Sequence, residues 1–318
     1  MPGMRDIANM WRNVREIDLR PIRESALQPV KLALVGATGA GRHTLANQMR
    51  HDPSRPQTQT QTPVLITDLA SPGKATSADL IVIVVDATST TTSQEQALAE
   101  KWMDTGKRVM VFVNKIDLAA EGQVMDDWQN WQVDRMVYGS ALDPASLLSQ
   151  FVPAVMDLLP DQHLALGRQF PLFRIAIARE LINETCFSNA AYAFSTGLAE
   201  VVPALDIPLN IADMVVLSKA QAFLVYKLGL SLGLSTRWQD YVTEFGSVVG
   251  SGFLWRQLAR QLVGLIPVWG IVPKVGVSYA GTYVVGHTIL QWYLTGRHIT
   301  GKQMRELYAH AFENGKAF

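Results

Sequence analysis

Apolar and polar positions follow two regimes along this chain. From residue 30 to 158, short apolar runs alternate with helical stretches. "VKLALVG", "VLITDLA", "DLIVIVVDA", "RVMVFVNKIDL" and the weaker "DRMVYGS" predict five strands. Helices are predicted near 42–50, 93–105, 121–131 and 144–158, the last with Asp143 as cap and Pro144 at its first position. Strands apolar on both faces, alternating with helices, predict an α/β domain whose parallel sheet is covered on both sides. The polar, near-repetitive "HDPSRPQTQTQTP" of residues 51–63 predicts a mobile loop. From about residue 165 the strand pattern stops. Long helical stretches follow, with expected breaks at Pro203, Pro208, Pro267 and Pro273, and Thr300 with Gln303 forms a capping box before the last helix. This predicts a C-terminal all-α domain. Near the start, Met4, Ile7, Met10, Trp11, Val14 and Ile17 recur at steps of three and four, one apolar helix stripe. The expected organisation is an amphipathic helix and linker over 1–27, an α/β domain over 28–160 and a helical domain over 165–318.

Charge narrows the function classes. Twenty-eight Lys and Arg balance 28 Asp and Glu in 318 residues, so no net basic charge favours general nucleic-acid binding. The single cysteine, Cys186, excludes an internal disulfide and a cysteine-rich metal site, and reads as a small buried apolar residue. The N-terminal "MPGMRDIANMWRNVREIDLR" carries charges throughout and does not read as a signal peptide. A reducing, cytoplasmic setting is the expectation.

Candidate chemistry sits at strand ends. In "VGATGAGRHT", Gly36, Gly39 and Gly41 let backbone N–H groups turn around oxyanions, and the helix from Arg42, with His43 and Thr44, adds a positive dipole end. Gly-rich strand–helix turns also occur without a ligand. "FVNKIDL" is more specific. Asp117 can accept both the ring N–H and the exocyclic amine of guanine, a donor pair adenine lacks. Asn114 can tie the base loop to the phosphate loop, and the stem of Lys115 can cover the base. In "YGSALD", Ser140 and Ala141 follow the last strand, where a backbone N–H can reach guanine O6. Both motifs lie at strand C-terminal ends, where open α/β sheets bind ligands. Elsewhere, His287 reads as a core histidine in an apolar stretch.

Residues 30–158, through these three motifs in order, resemble the Era-like, Ras-related GTPase domain of the bacterial translation-factor class. Residues 165–318, notably "LIPVWGIVPKVGVSYAGTYVVGHTILQWY" and "MRELYAHAF", more loosely resemble the helical domain of unknown function often fused to such GTPases in bacteria. The resemblance implies GTP or GDP as ligand, Mg²⁺ as its companion with Asp68 as a metal residue, and an unidentified protein partner.

The chain departs from that pattern. Arg42 replaces the family's lysine, and a planar fork cannot mimic a compact ammonium. His43 replaces the magnesium-binding hydroxyl, and Thr44 is rotated by about 100° on a helix. Each lost charge-assisted contact costs roughly 1.5–3 kcal/mol, about ten- to a hundredfold in affinity. Thr58, Thr60 and Thr62 are the candidates for the switch I threonine, and "DLASPG" stretches the second switch between Asp68 and Gly73, with Lys74 in place of a water-orienting glutamine. Hydrolysis depends on positioning, so turnover is expected to be very slow or absent.

Residues 275–296 hold no Asp, Glu, Lys or Arg and as one helix extend about 33 Å. Gly276 and Ala280 permit a close helix approach. The favoured expectation is the central helix of a soluble bundle; the rival is a hydrophobic hairpin near 261–295 attached to the inner face of a membrane. Three functional expectations stand: a guanine-nucleotide-binding switch with feeble hydrolysis, a scaffold that keeps the fold without the ligand, and a membrane-associated structural protein.

Overall fold

The computed structural model describes residues 18–119, 131–199, 211–241, 271–297 and 300–315. The expected N-terminal stripe and the helix near 121–131 lie outside the described residues, the latter but for Trp131. Contacts divide the chain into two compact units, residues 24–177 and residues 1–23 with 178–318.

In the first unit, β1 (Leu32–Val35), β4 (Leu65–Thr67), β5 (Leu80–Asp86), β6 (Val109–Asn114) and β7 (Arg135–Tyr138) form one sheet in the order β4-β1-β5-β6-β7. Every pairing in it is parallel. Side chains alternate between the two faces of a strand, and both faces are covered here, so β5 and β6 are apolar up to their last residues, Asp86 and Asn114. Ile81, Ile83, Val85, Val109, Val111 and Val113 share a cluster with Trp102 of α3 (Ser93–Asp104). From β6 also comes Phe112, which meets Phe151 edge-on at 5.4 Å between ring centres. Phe151 in turn packs on Phe173. Each such fully buried side chain contributes about 1.5–3 kcal/mol of burial free energy.

A first helix, α1 (Arg20–Leu27), precedes β1 in the chain, and Gly41 and Arg50 bound α2 (Arg42–Met49). Asp143 caps the last helical stretch of this unit, accepting from the N–H groups of Ala145 and Ser146 at 3.0 and 3.2 Å. That stretch opens with Pro144–Ser146, passes through a wide π-turn at Leu147–Phe151 and becomes α4 (Val152–Leu158). Then come α5 (His163–Gln169) and α6 (Arg174–Ala199).

Residues 51–63 are more ordered than their composition predicts. β2 (His51–Asp52) and β3 (Arg55–Gln59) form an antiparallel hairpin. Its turn is made by Asp52 Oδ1, which accepts from the N–H of Ser54 at 2.9 Å and from its hydroxyl at 2.5 Å. No apolar alternation marks these strands, so periodicity alone does not find them.

The second unit is helical: most of α6, then α7 (Ile211–Ser231), α8 (Ile271–Thr295) and α9 (Gly301–Gly315). Thr300 and Gln303 exchange the two bonds of the capping box, at 3.0 and 3.4 Å. Pro203, Pro208 and Pro267 lie outside the described residues; Pro273 stands in the first turn of α8 rather than between helices. A first-turn N–H has no helical acceptor, so proline costs little there.

The uncharged stretch of α8 behaves as the inside of a bundle. Tyr279, Ala280, Val284 and Leu290 are buried. Two of its hydroxyls are paired with α6: Asn189 Nδ2 donates to Thr282 Oγ1 at 2.8 Å, and Ser278 Oγ to the Asn189 carbonyl at 3.0 Å. A Cβ on Gly276 would stand 2.9 Å from the Phe312 ring, so the glycine is what lets α9 approach. Among the described residues no helix is long and apolar enough to cross a membrane. The first arm of the alternative hairpin near 261–295 lies outside the described residues through residue 270.

Candidate functional site

All the strand C-termini of the sheet point to one edge, and the candidate motifs collect there. The turn after β1 needs its glycines for different reasons. Gly36 is buried, and a Cβ on it would overlap the Val84 carbonyl of β5. Gly39 and Gly41 take φ of 87° and 99°, left-handed values that side chains disfavour. Gly41 caps α2 with no side-chain bond, which leaves the first helical N–H groups turned to the cleft.

Asn114, the last residue of β6 and only 3% exposed, joins three loops. Its Nδ2 donates to the Ala40 carbonyl of the phosphate loop at 2.7 Å. Its Oδ1 accepts from the Ala141 N–H at 2.7 Å. One amide therefore fixes the spacing of the glycine turn, the base loop and the Ser-Ala turn.

Lys115 follows with φ 65°, the one non-glycine positive φ among the described residues. Such a backbone costs of order 1 kcal/mol or more and persists where its surroundings hold it. Its Nζ reaches Asp86 Oδ2 at 2.5 Å. Asp86 Oδ1 also accepts from the N–H and hydroxyl of Thr88 at 3.0 and 2.7 Å. Burial pushes the Asp86 pKa up, but the bonds from Lys115 and Thr88 outweigh it and hold the carboxyl below its usual value. Asp86 was not singled out by the sequence motifs. The signal is its register: it pairs directly with Asn114 across β5 and β6.

The short turn Ile116–Leu118 then presents Asp117 to solvent. Among the described residues it has no hydrogen-bond partner, so its carboxylate oxygens are open to a ligand. The Ser-Ala turn is less open. The N–H of Ser140 is donated to Ser146 Oγ at 3.3 Å, and that of Ala141 to Asn114. A guanine O6 would share an already engaged N–H.

Arg42, 9% exposed, turns its guanidinium inward and donates to the Thr67 carbonyl at the end of β4. It thus ties the start of α2 to the strand leading into Asp68. His43 is exposed and Thr44 half-buried. Asp68 Oδ1 accepts from the Ser71 N–H at 2.9 Å, closing its own turn.

The threonines of the hairpin are elsewhere. Thr60 and Thr62 hydroxyls donate to the Gln169 carbonyl at 3.0 and 2.5 Å. Gln169 is anchored by the N–H of Val30, just before β1, at 3.1 Å. That is the N-terminal edge of the sheet, the opposite edge from the phosphate loop. Thr58 belongs to β3, whose hairpin starts beyond the far end of α2, about 12 Å along its axis from Arg42. Gln169, which holds this arrangement, lies 139 residues from Val30 and gives no local signal.

These residues do not fit a magnesium ion. Mg²⁺ takes hard oxygen ligands in near-octahedral geometry. The helix position that would offer a hydroxyl offers an imidazole, the hairpin threonines are at the wrong edge, and Asp68 stands alone. Among the described residues, no group of three His, Cys, Asp or Glu could hold a metal ion.

No protein-family model matches the chain, and no curated protein is similar to it. Two crystal structures of mutation variants of SsGBP share 15% and 17% identity with it, at TM-scores of 0.29 and 0.30. The matches cover 49% and 51% of this chain and 65% and 66% of those chains. Overlap that low identifies neither a fold nor a function.

Proposed function

We propose that the first unit binds a guanine nucleotide at the C-terminal edge of its sheet and hydrolyses GTP very slowly or not at all. The supporting observation is the Asn114 clamp, which joins the glycine turn and the Ser-Ala turn while the neighbouring Asp117 carboxylate has no partner among the described residues. That carboxylate accepts the two guanine donors; the glycine turn and the start of α2 receive the diphosphate. Turnover is poor because Lys74 replaces the family's water-orienting glutamine and the Thr60 and Thr62 hydroxyls are bonded to the Gln169 carbonyl at the opposite edge.

The test is titration of the full chain with fluorescent GDP and GTP. Asp117→Asn replaces an acceptor by an amide that offers a donor to the guanine amine, so affinity falls by about a hundredfold or more, the scale of two charge-assisted bonds. Unchanged affinity in that variant refutes the reading.

A second reading, a scaffold that keeps the fold without a ligand, is favoured by Arg42 already bonded to Thr67 and by the engaged Ser140 and Ala141 N–H groups. In either reading the helical unit is the module that contacts a protein partner or the inner face of a membrane. Phe187 and Phe194, each 46% exposed and seven residues apart on α6, supply an apolar strip for that contact. Co-sedimentation with vesicles separates membrane from protein contact.

A further inference from the structure

Guanine-nucleotide sites of the kind this chain resembles pair their phosphates with a divalent cation, and the hydroxyl positions that the resemblance assigns to one are filled by His43 or, for Thr60 and Thr62, held away from this edge. His43 presents nitrogen, a poor partner for a hard cation. Thr60 and Thr62 are held at the opposite edge by a carbonyl whose own residue is fixed at both ends of its amide: Gln169 Oε1 accepts from the Val30 N–H, and its Nε2 donates to the Gln28 carbonyl at 2.7 Å. Arg50 Nε adds a bond to the Thr62 carbonyl at 2.9 Å. Moving either threonine to the phosphate loop would break its bond to that carbonyl. Asp68 has one carboxylate oxygen engaged in its turn.

A different positive charge stands at this edge. Arg42 opens α2 and is nine-tenths buried, and its side chain is a guanidinium cation. A guanidinium has five N–H donors, and one of them is bonded to the Thr67 carbonyl. That bond orients the fork without neutralising it, since a carbonyl carries no net charge. No ion pair of Arg42 exists among the described residues. The fixed charge joins the dipole of α2, whose first turn contains no acidic residue.

We propose that this edge takes a guanine nucleoside diphosphate without a divalent cation, Arg42 supplying the charge that a bound metal would otherwise supply. The proposal rests on the guanine-binding reading above and adds the electrostatics of its phosphate end. The loss of the magnesium-ligating hydroxyl and the exchange of lysine for arginine are then one change: the metal is dispensed with, and a cationic, pinned side chain remains.

The test is titration of the intact chain with fluorescent GDP in excess EDTA and in millimolar Mg²⁺. Affinities agreeing within about threefold support the proposal. A gain of about tenfold or more on adding Mg²⁺ overturns it and leaves the guanine reading standing. GDP binding in neither buffer overturns both. Arg42→Met keeps the stem and removes the charge; with folding verified by circular dichroism, its affinity in EDTA falls by about tenfold or more. An unaltered affinity in that variant overturns the role given to Arg42. Should Arg42→Met not fold, the two titrations of the unmodified chain decide.

Discussion

Replacing Asn114 by alanine removes the amide that joins three loops. Two buried hydrogen bonds of 2.7 Å disappear, to the Ala40 carbonyl and from the Ala141 N–H. Each contributes a net 0.5–1.5 kcal/mol or so, and each orphaned backbone group costs about 1–3 kcal/mol if water does not reach it. Ala40 and Ala141 are both 1% exposed, so little water does. Partial relaxation at the cleft leaves an expected loss of about 2–4 kcal/mol, a large share of the stability of one domain. With a urea slope of about 2 kcal/mol per molar, the midpoint of the first unit falls by about 1–2 M. Hydrogen exchange gives the local readout: the Ala141 amide loses protection ahead of the β5 and β6 amides. Asp117→Asn is the control, since Asp117 is exposed and has no hydrogen-bond partner among the described residues; its stability stays within the roughly 0.5 kcal/mol usual for surface changes. An Asn114→Ala midpoint within about 0.3 M of the parent, or an unchanged Ala141 exchange rate, refutes the clamp.

Two further outcomes come from titratable groups. The Asp86 carboxyl is held below its usual value, so its stabilisation is present above the ordinary aspartate pKa of about 4 and is lost as pH falls through the folded value. Asp86→Asn therefore flattens the acid limb of stability against pH; superimposable limbs for variant and parent refute the assignment. Burial pushes the Cys186 thiol up to about 12, so it carries no thiolate at neutral pH. Ellman's reagent leaves it unmodified in the native chain and modifies one thiol per chain in denaturant; fast native reaction overturns that placement.

Local pattern carried much of the architecture. Five strands are legible because residues buried on both faces must be apolar, and β5 and β6 show it at every position before their last residues, Asp86 and Asn114. Asp143 and Thr300 mark their helix starts because a cap acts on N–H groups two or three residues away. The hairpin over 51–59 was not legible, since its order comes from a side-chain turn at Asp52 and from Gln169, and neither leaves an apolar period. Composition alone favoured a bundle helix for the uncharged run in α8 without showing what would pack against it. Its partners on α6 and α9 are properties of packing.

The candidate site divides the same way. Residue type and spacing alone identify a glycine turn, an Asn-Lys-x-Asp and a Ser-Ala turn, because each chemistry needs its groups within a few residues. Tertiary structure alone decides that Asn114 binds both other loops, that Lys115 is paired with Asp86, and that Arg42 faces Thr67. It also decides that Thr60 and Thr62 sit a strand's length from the phosphate loop. The physical reason is range: a hydrogen bond acts over about 3 Å of space whatever the separation along the chain, and only the folded sheet brings residues 40, 114 and 141 that close.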